Sequence, residues 1–205
     1  MKVVVIDYGM GNLRSVYNTV FRLGYSVKVS SEICDINNAD KIILPGVGHF
    51  NNGMKNLTRF NLLDTIKENV ITKQKPILGI CLGMQMLADF SEEGNQKGFG
   101  WIDSEVISFN RINHLKVPHM GWNTLDFGHK SPLFNGINNQ DEFYFAHTFH
   151  FNKTNKNQIL ATSNYIYDFT SAVTKENIVG FQFHPEKSHE SGRILLKNFL
   201  DYHYV

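Results

Sequence analysis

The sequence is poor in cysteine, in net charge and in long apolar runs. Only two cysteines occur in 205 residues, Cys34 and Cys81, too few for a disulfide scaffold and suited to a reducing, cytoplasmic setting. Each thiol must therefore be judged alone. Twenty basic side chains stand against nineteen acidic ones, which leaves no general footprint for nucleic acid or an acidic membrane surface. No segment approaches the length of a membrane span. Met1 to Asp7 is a short β-branched run ended by a carboxylate, not the longer apolar core of a signal peptide. Internal repeats, low-complexity tracts and long linkers are missing too, so residues 1–205 are expected to form one domain.

What is present is a repeated grammar of strand, glycine turn and helix. Val3 to Ile6 runs into Tyr8-Gly9-Met10-Gly11 and a helical stretch, about Asn12 to Leu23, that stops at Gly24. Lys41 to Leu44 runs into Pro45-Gly46-Val47-Gly48, and Pro76 to Ile80 runs into Cys81 and a helix-like Leu82 to Phe90. All-apolar strands alternating with helices predict an α/β fold, a mostly parallel central sheet flanked by helices. Past Gly98 shorter alternating segments, Glu142 to Phe151 and Asn177 to Phe183 among them, predict an added, partly antiparallel set of strands. A last amphipathic helix is expected over about Glu190 to Tyr202. Ligands of such sheets bind beyond the carboxyl ends of the strands, which is where the glycine turns fall.

Gly79-Ile80-Cys81-Leu82-Gly83 sets a cysteine at a strand-to-helix junction with a glycine two positions away on each side. Small flanks allow a tight turn that lifts the side chain out of the sheet, a nucleophile elbow with sulfur in place of oxygen. A helix N-terminus behind the sulfur would favour the thiolate. Cys34 has neither an elbow nor a nearby basic partner and reads as structural. A thiolate nucleophile needs a base that can also protonate the leaving amine, and that base needs an orienting carboxylate. His184-Pro185-Glu186 ends the last apolar strand; on an extended backbone held by Pro185 the two side chains would point to one side. Standing alone, that segment could be a surface turn with an incidental histidine. The glycines of Pro45-Gly46-Val47-Gly48 let peptide N–H groups face a developing oxyanion, with the Leu82 amide as second donor.

Gly79-Ile80-Cys81-Leu82-Gly83-Met84-Gln85 with Phe183-His184-Pro185-Glu186 resembles the class I glutamine amidotransferases. The resemblance narrows to the glutaminase subunits of imidazole glycerol phosphate synthases through Asp7 to Asn12, Pro45 to Phe50, Lys116 to Asn123 and Pro185 to Ser188. It implies a fold of that family and a catalytic triad of Cys81, His184 and Glu186. It further implies an oxyanion hole at Val47, Gly48 and Leu82, and glutamine contacts from Gly48, Gln85, Glu93, His147 and Thr148. Ammonia would pass to a barrel-fold synthase subunit of a heterodimer, faced by Asn12, Trp122 and Lys187, in histidine biosynthesis. No cofactor and no metal is implied. Thr148 and Phe149 stand where the family commonly has serine and tyrosine.

Other readings compete. A paralogue could supply ammonia for amidation of a nucleotide sugar, an inert homologue could serve as a regulatory binding module, and a free-standing cysteine hydrolase would need no partner. His147 and His150 suggest a metal pair, but three residues apart on one strand they would lie on opposite faces. Gly9-Met10-Gly11-Asn12 lacks the third glycine of a dinucleotide loop, Arg14 taking its place.

Overall fold

Apolar strands buried on both sides need helices on both faces, and the order of elements supplies them. The computed structural model describes residues 1–110, 116–128 and 130–202. The first half runs β1 (Lys2–Ile6), α1 (Leu13–Arg22), β2 (Ser26–Ser30), α2 (Ile33–Asn38), β3 (Lys41–Gly46), α3 (Phe50–Arg59) and α4 (Leu63–Lys67). It continues with β4 (Ile77–Cys81), α5 (Leu82–Gln85), β5 (Ala88–Ser91), β6 (Gln96–Lys97) and β7 (Ile102–Ser108). The second half is mostly strand: β8 (His119–Thr124), β9 (Asp126–Phe127), β10 (Glu142–His147), β11 (Phe149–Asn152), β12 (Ile159–Asn164), β13 (Asp168–Lys175) and β14 (Ile178–Phe181). Helix α6 (His189–Asp201) follows.

Five parallel strands in the order β2-β1-β3-β4-β14 form one half of the main sheet. Antiparallel pairing of β13 with β14 and of β11 with β13 extends it toward β7, β5 and β6. Strands β8 and β10 stand apart as an antiparallel ribbon. Successive residues of one strand feed opposite cores, as the two-residue period of a strand requires. Val3 and Val5 pack with Val16 and Val20 of α1 and with Leu195 and Phe199 of α6. Val4 and Ile6 pack with Ile36 of α2, Leu57 of α3 and Ile66 of α4. Full burial of one such side chain is worth about 1.5–3 kcal/mol, so a one-residue slip that reversed the faces would be heavily penalised. The buried Lys41 ammonium donates to the carbonyls of Phe199 (2.8 Å) and Tyr202 (2.7 Å), fastening the end of α6 to β3.

Two expectations need correction. The stretch after Cys81 is a single helical turn, not a helix to Phe90, because a distant segment takes the carbonyls that a helix would use. Phe99 N–H bonds to Met86 O (2.8 Å), Trp101 N–H to Leu87 O (2.9 Å) and Gly100 N–H to Ala88 O (3.0 Å), and Ala88 onward pairs with β7. Glu142 to Phe151 is two strands in two sheets, with the break at Thr148. That break turns the chain between His147 and His150, so both rings pack on Phe109, at 5.3 and 4.3 Å between centroids, rather than on opposite faces.

The return from β4 into α5 brings its backbone against β3. A Cβ on Gly83 would lie 1.8 Å from the Leu44 carbonyl oxygen, and one on Gly79 would lie 2.7 Å from the Gly83 backbone. Gly83→Ala should therefore lower stability by about 3 kcal/mol, because backbone and not a pliable side chain must move. Gly128→Ala, where nothing lies within 4 Å, should stay within about 0.5 kcal/mol. Equal urea midpoints for the two variants would contradict the packing described.

Candidate active site

Cys81 ends β4 at φ 54° and ψ −110°, a backbone state that costs a non-glycine residue about 1–3 kcal/mol and persists only where packing enforces it. The Gly79 and Gly83 contacts enforce it. The side chain leaves the sheet edge as the elbow reading requires, although it is only 5% exposed. Since α5 is one turn long, the helix-end charge expected behind the sulfur is small.

The imidazole that feels the charge of Cys81 is His184. This ring stands between the end of β14 and a 3-10 turn, Pro185–Lys187, so the segment is not extended through Glu186 as expected. Proline at the first turn position presets the bend, and the His184 carbonyl accepts from the Ser188 hydroxyl (2.6 Å) and from Lys187 N–H (3.0 Å). The bend still brings the two side chains together: His184 Nδ1 donates to Glu186 Oε1 at 2.9 Å, with side chains only 3% and 1% exposed. Nε2 is the ring nitrogen left for Cys81, whose charge acts on this imidazole. Burial works against an imidazolium here. The negative charge of Cys81, joined by the hydrogen bond and charge of Glu186, outweighs it and pushes His184 up to about 10. The arrangement favours an imidazolium at neutral pH.

In front of the sulfur lies a cleft of about 220 Å³, smaller than the roughly 300–1,000 Å³ of drug-sized pockets and suited to a single small metabolite. Val47, Gly48, Leu82, Gln85, Glu93, His147 and Thr148 line it together with Cys81. Gly48 sits at φ +108°, so the turn it closes depends on glycine. Glu93 Oε2 accepts from Phe50 N–H at 2.7 Å and so also serves the first turn of α3. A wider groove of about 550 Å³, lined by Phe127, Lys130 and Phe134 among others, presents no thiol, imidazole or carboxylate among its described residues.

His147 is committed inward. Its Nδ1 faces the Phe149 carbonyl at 2.8 Å and must carry the proton, so Nε2 accepts from His119 Nδ1 at 3.0 Å. His119 Nε2 in turn accepts from the Asn123 amide at 3.3 Å. Burial, and for His147 also the neighbouring rings of His119, His150 and His184, hold the group uncharged. His119 is brought down to about 4, His147 lies well below the ordinary 6.5, and His150 is lowered. What His147 can turn to the cleft is its ring edge. Among the described residues no group of three or more His, Cys, Asp or Glu side chains is placed to hold a metal.

A family model described as "Glutamine amidotransferase class-I" matches residues 4–202. The chain belongs to this family. It is 48% identical over 199 residues to "Imidazole glycerol phosphate synthase subunit HisH 2" of Pseudomonas aeruginosa, covering 97% of this chain and 98% of that protein. It is 46% identical to the protein of the same name from Vibrio vulnificus (98% and 95% covered) and 43% identical to that of Methanococcus maripaludis (97% and 98% covered). Among solved structures, one named only as a glutamine amidotransferase superposes with TM-score 0.76 at 19% identity, covering 97% of each chain. PurLQS from Thermotoga maritima superposes with TM-score 0.74 at 18% identity, covering 98% of each chain. These structural likenesses show the amidotransferase fold alone.

On this amidotransferase two of the residues expected at a partner surface, Trp122 and Lys187, meet on one ring, that of Tyr144. Trp122, 43% exposed, stacks on His189 at 4.8 Å and meets Tyr144 edge-on at 5.8 Å. The Lys187 ammonium lies 5.4 Å from the centroid of the same Tyr144 ring. Helix α1, opened by Asn12, packs against the Pro185–Lys187 turn. Two residues were missed from the sequence. His119 stood in a motif without an assigned role, and Gln182 had one available signal, a polar residue between two phenylalanines of an apolar strand, which must find partners if buried.

Acid should loosen the ribbon side of this amidotransferase. His119, His147 and His150 titrate lower in the folded chain than the ordinary 6.5, so below that value the unfolded chain binds more protons. The stability they contribute is complete above 6.5 and is lost as pH falls toward the value of about 4 for His119. His184, raised to about 10, acts in the opposite sense and only on the alkaline side. The urea midpoint should drop between pH 7.5 and pH 5, with amides of β8 and β10 losing exchange protection first. A flat profile over that range would count against the neutral histidines.

Proposed function

We propose that residues 1–205 act as one glutaminase domain, the ammonia-producing subunit of an imidazole glycerol phosphate synthase. The observation that carries this reading is a buried His184–Glu186 pair at 2.9 Å, under the charge of a Cys81 that lines a cleft of about 220 Å³. The relatives named as subunits of that synthase, 43–48% identical over nearly the whole chain, support the histidine-pathway acceptor over a nucleotide sugar. An intact triad speaks against an inert binding module.

The chemistry follows from the geometry. Cys81 Sγ attacks the side-chain carbonyl carbon of glutamine, and the oxygen takes up the electron pair beside the peptides of Val47, Gly48 and Leu82. Collapse of that tetrahedral species breaks the C–N bond, and His184 gives its proton to the departing ammonia. His184, now neutral, takes a proton from water as the water attacks the thioester. The C–S bond breaks, the sulfur leaves with the electron pair beside the recharged imidazole, and the acid formed loses its proton to solvent as glutamate. Glu186 holds the ring and supports its positive charge. Gln85, Glu93, His147 and Thr148 border the rest of the substrate.

Ammonia then passes to a barrel-fold partner docked on the face of Asn12, Trp122 and Lys187. The exposed free thiol of Cys34 suits a reducing cytoplasm.

In the reconstituted pair, Cys81→Ala should abolish glutamine-dependent formation of imidazole glycerol phosphate and leave ammonium-dependent formation intact, because only ammonia release uses the thiolate. Cys34→Ala should change neither. Loss with both nitrogen sources would contradict this division, and co-purification with a nucleotide-sugar enzyme alone would transfer the chain to the other acceptor.

A further inference from the structure

A chain of side-chain amides runs behind the cleft and ends on the sulfur. The Phe149 carbonyl accepts from His147 Nδ1 (2.8 Å) and from Gln85 Nε2 (2.9 Å). Gln85 Nε2 also donates to Gln182 Oε1 at 3.1 Å, and Gln182 Nε2 donates to Cys81 Sγ at 3.7 Å. Gln182 is fully buried and Gln85 nearly so, at 0% and 4% exposure. Two amides whose oxygen and nitrogen ends are alike in shape are therefore oriented by the network itself. A carbonyl oxygen can only accept, so Phe149 fixes the nitrogen end of Gln85. Its second N–H requires an acceptor, which turns Gln182 Oε1 toward it. The remaining end of Gln182, an NH₂ group, then faces the sulfur.

We propose that Gln182 is a positioning residue for the nucleophile, donating a hydrogen bond that favours the Cys81 thiolate and sets its direction. A thiol gains little from this partner, because sulfur bonded to hydrogen is a weak acceptor; a thiolate gains a charge-assisted bond in a site with little water. The proton of His184 is mobile and is given away when ammonia leaves. The amide of Gln182 keeps its hydrogens throughout and so stabilises sulfur as a leaving group when the thioester is hydrolysed. The same bond fixes Gln85: with both its N–H groups spent on Phe149 and Gln182, the end it can turn to the cleft is its oxygen, an acceptor. That acceptor selects a donor on the substrate, an amide or ammonium N–H, over a carboxylate. The proposal rests on the reading of Cys81 as the nucleophile.

The test uses Gln182→Met, which keeps length and removes the donor, and Gln182→Glu, which keeps shape and puts an acceptor against the sulfur. Both are made with Cys34→Ala, since Cys34 is exposed and would also react. Iodoacetamide alkylation of Cys81 is followed across pH in the isolated chain, with no glutamine and no partner. The alkylation midpoint should move to higher pH in Gln182→Met, leaving roughly tenfold less reactive sulfur on the acid side, and further in Gln182→Glu. Glutamine-dependent kcat of the complex should fall by more than KM rises, while ammonium-dependent synthesis holds. An unmoved midpoint in both variants would overturn the proposal and leave Gln182 as packing.

Should the variants fail to fold, the unsubstituted chain decides. Its Gln182 side-chain amide, assigned by through-bond NMR, should shift in step with alkylation of Cys81 and stay still in Cys81→Ala; an amide indifferent to the state of the sulfur would overturn the proposal equally. Failure of the glutaminase reading itself would be seen separately, as absent glutamine turnover by the unsubstituted complex despite a normal alkylation profile.

Discussion

Everything at the site depends on one strained residue. Cys81 can hold φ 54° only because the backbone of Gly83 lies against Leu44 and that of Gly79 against Gly83, contacts that any side chain at either glycine would abolish. The strain of about 1–3 kcal/mol is carried by the apolar packing of β3 and β4 between two helical layers. Relaxing it would re-aim the sulfur. His184 would then lose the contact that keeps it charged, and Gln182 would lose its acceptor.

Electrostatics divides the buried histidines by their neighbours. His184 sits between a thiol and a carboxylate and is pushed up to about 10; His119, His147 and His150 face carbonyls, amides, a phenol and one another, and are lowered. The site thus holds one imidazole poised to give up a proton and several that keep fixed tautomers. Fixed tautomers have a structural consequence. They give direction to the hydrogen bonds from Asn123 in the ribbon, beside Trp122, through His119 and His147 to the Phe149 carbonyl, which Gln85 shares.

The sequence was most legible where local chemistry and global fold agree. The β-branched runs of β1, β3 and β4, the glycines around Cys81 and the stop at Gly24 each follow from short-range rules, and the structure places them as read. Legibility ended where a distant segment intervened. Leu82 to Phe90 has a helical look, yet Phe99 to Ile102 capture its carbonyls after the first turn. Glu142 to Phe151 alternates like one strand, yet divides between two sheets at Thr148, which no local pattern marks. His184 and Glu186 were paired correctly for the wrong backbone reason, a turn doing what an extended segment was expected to do. Gln182 escaped because a single polar residue in an apolar strand announces burial without naming its partners.

The charge state of His184 reports most directly on the strained elbow at Cys81. Its ring nitrogens, observed by ¹⁵N NMR from pH 6 to pH 11, should report an imidazolium through neutral pH that titrates near the value of about 10. In Cys81→Ala, with the sulfur's charge removed and burial unchanged, the transition should move well down. A neutral His184 at pH 7 in the unsubstituted chain, or a titration indifferent to Cys81→Ala, would contradict a strained elbow that brings the sulfur to bear on His184.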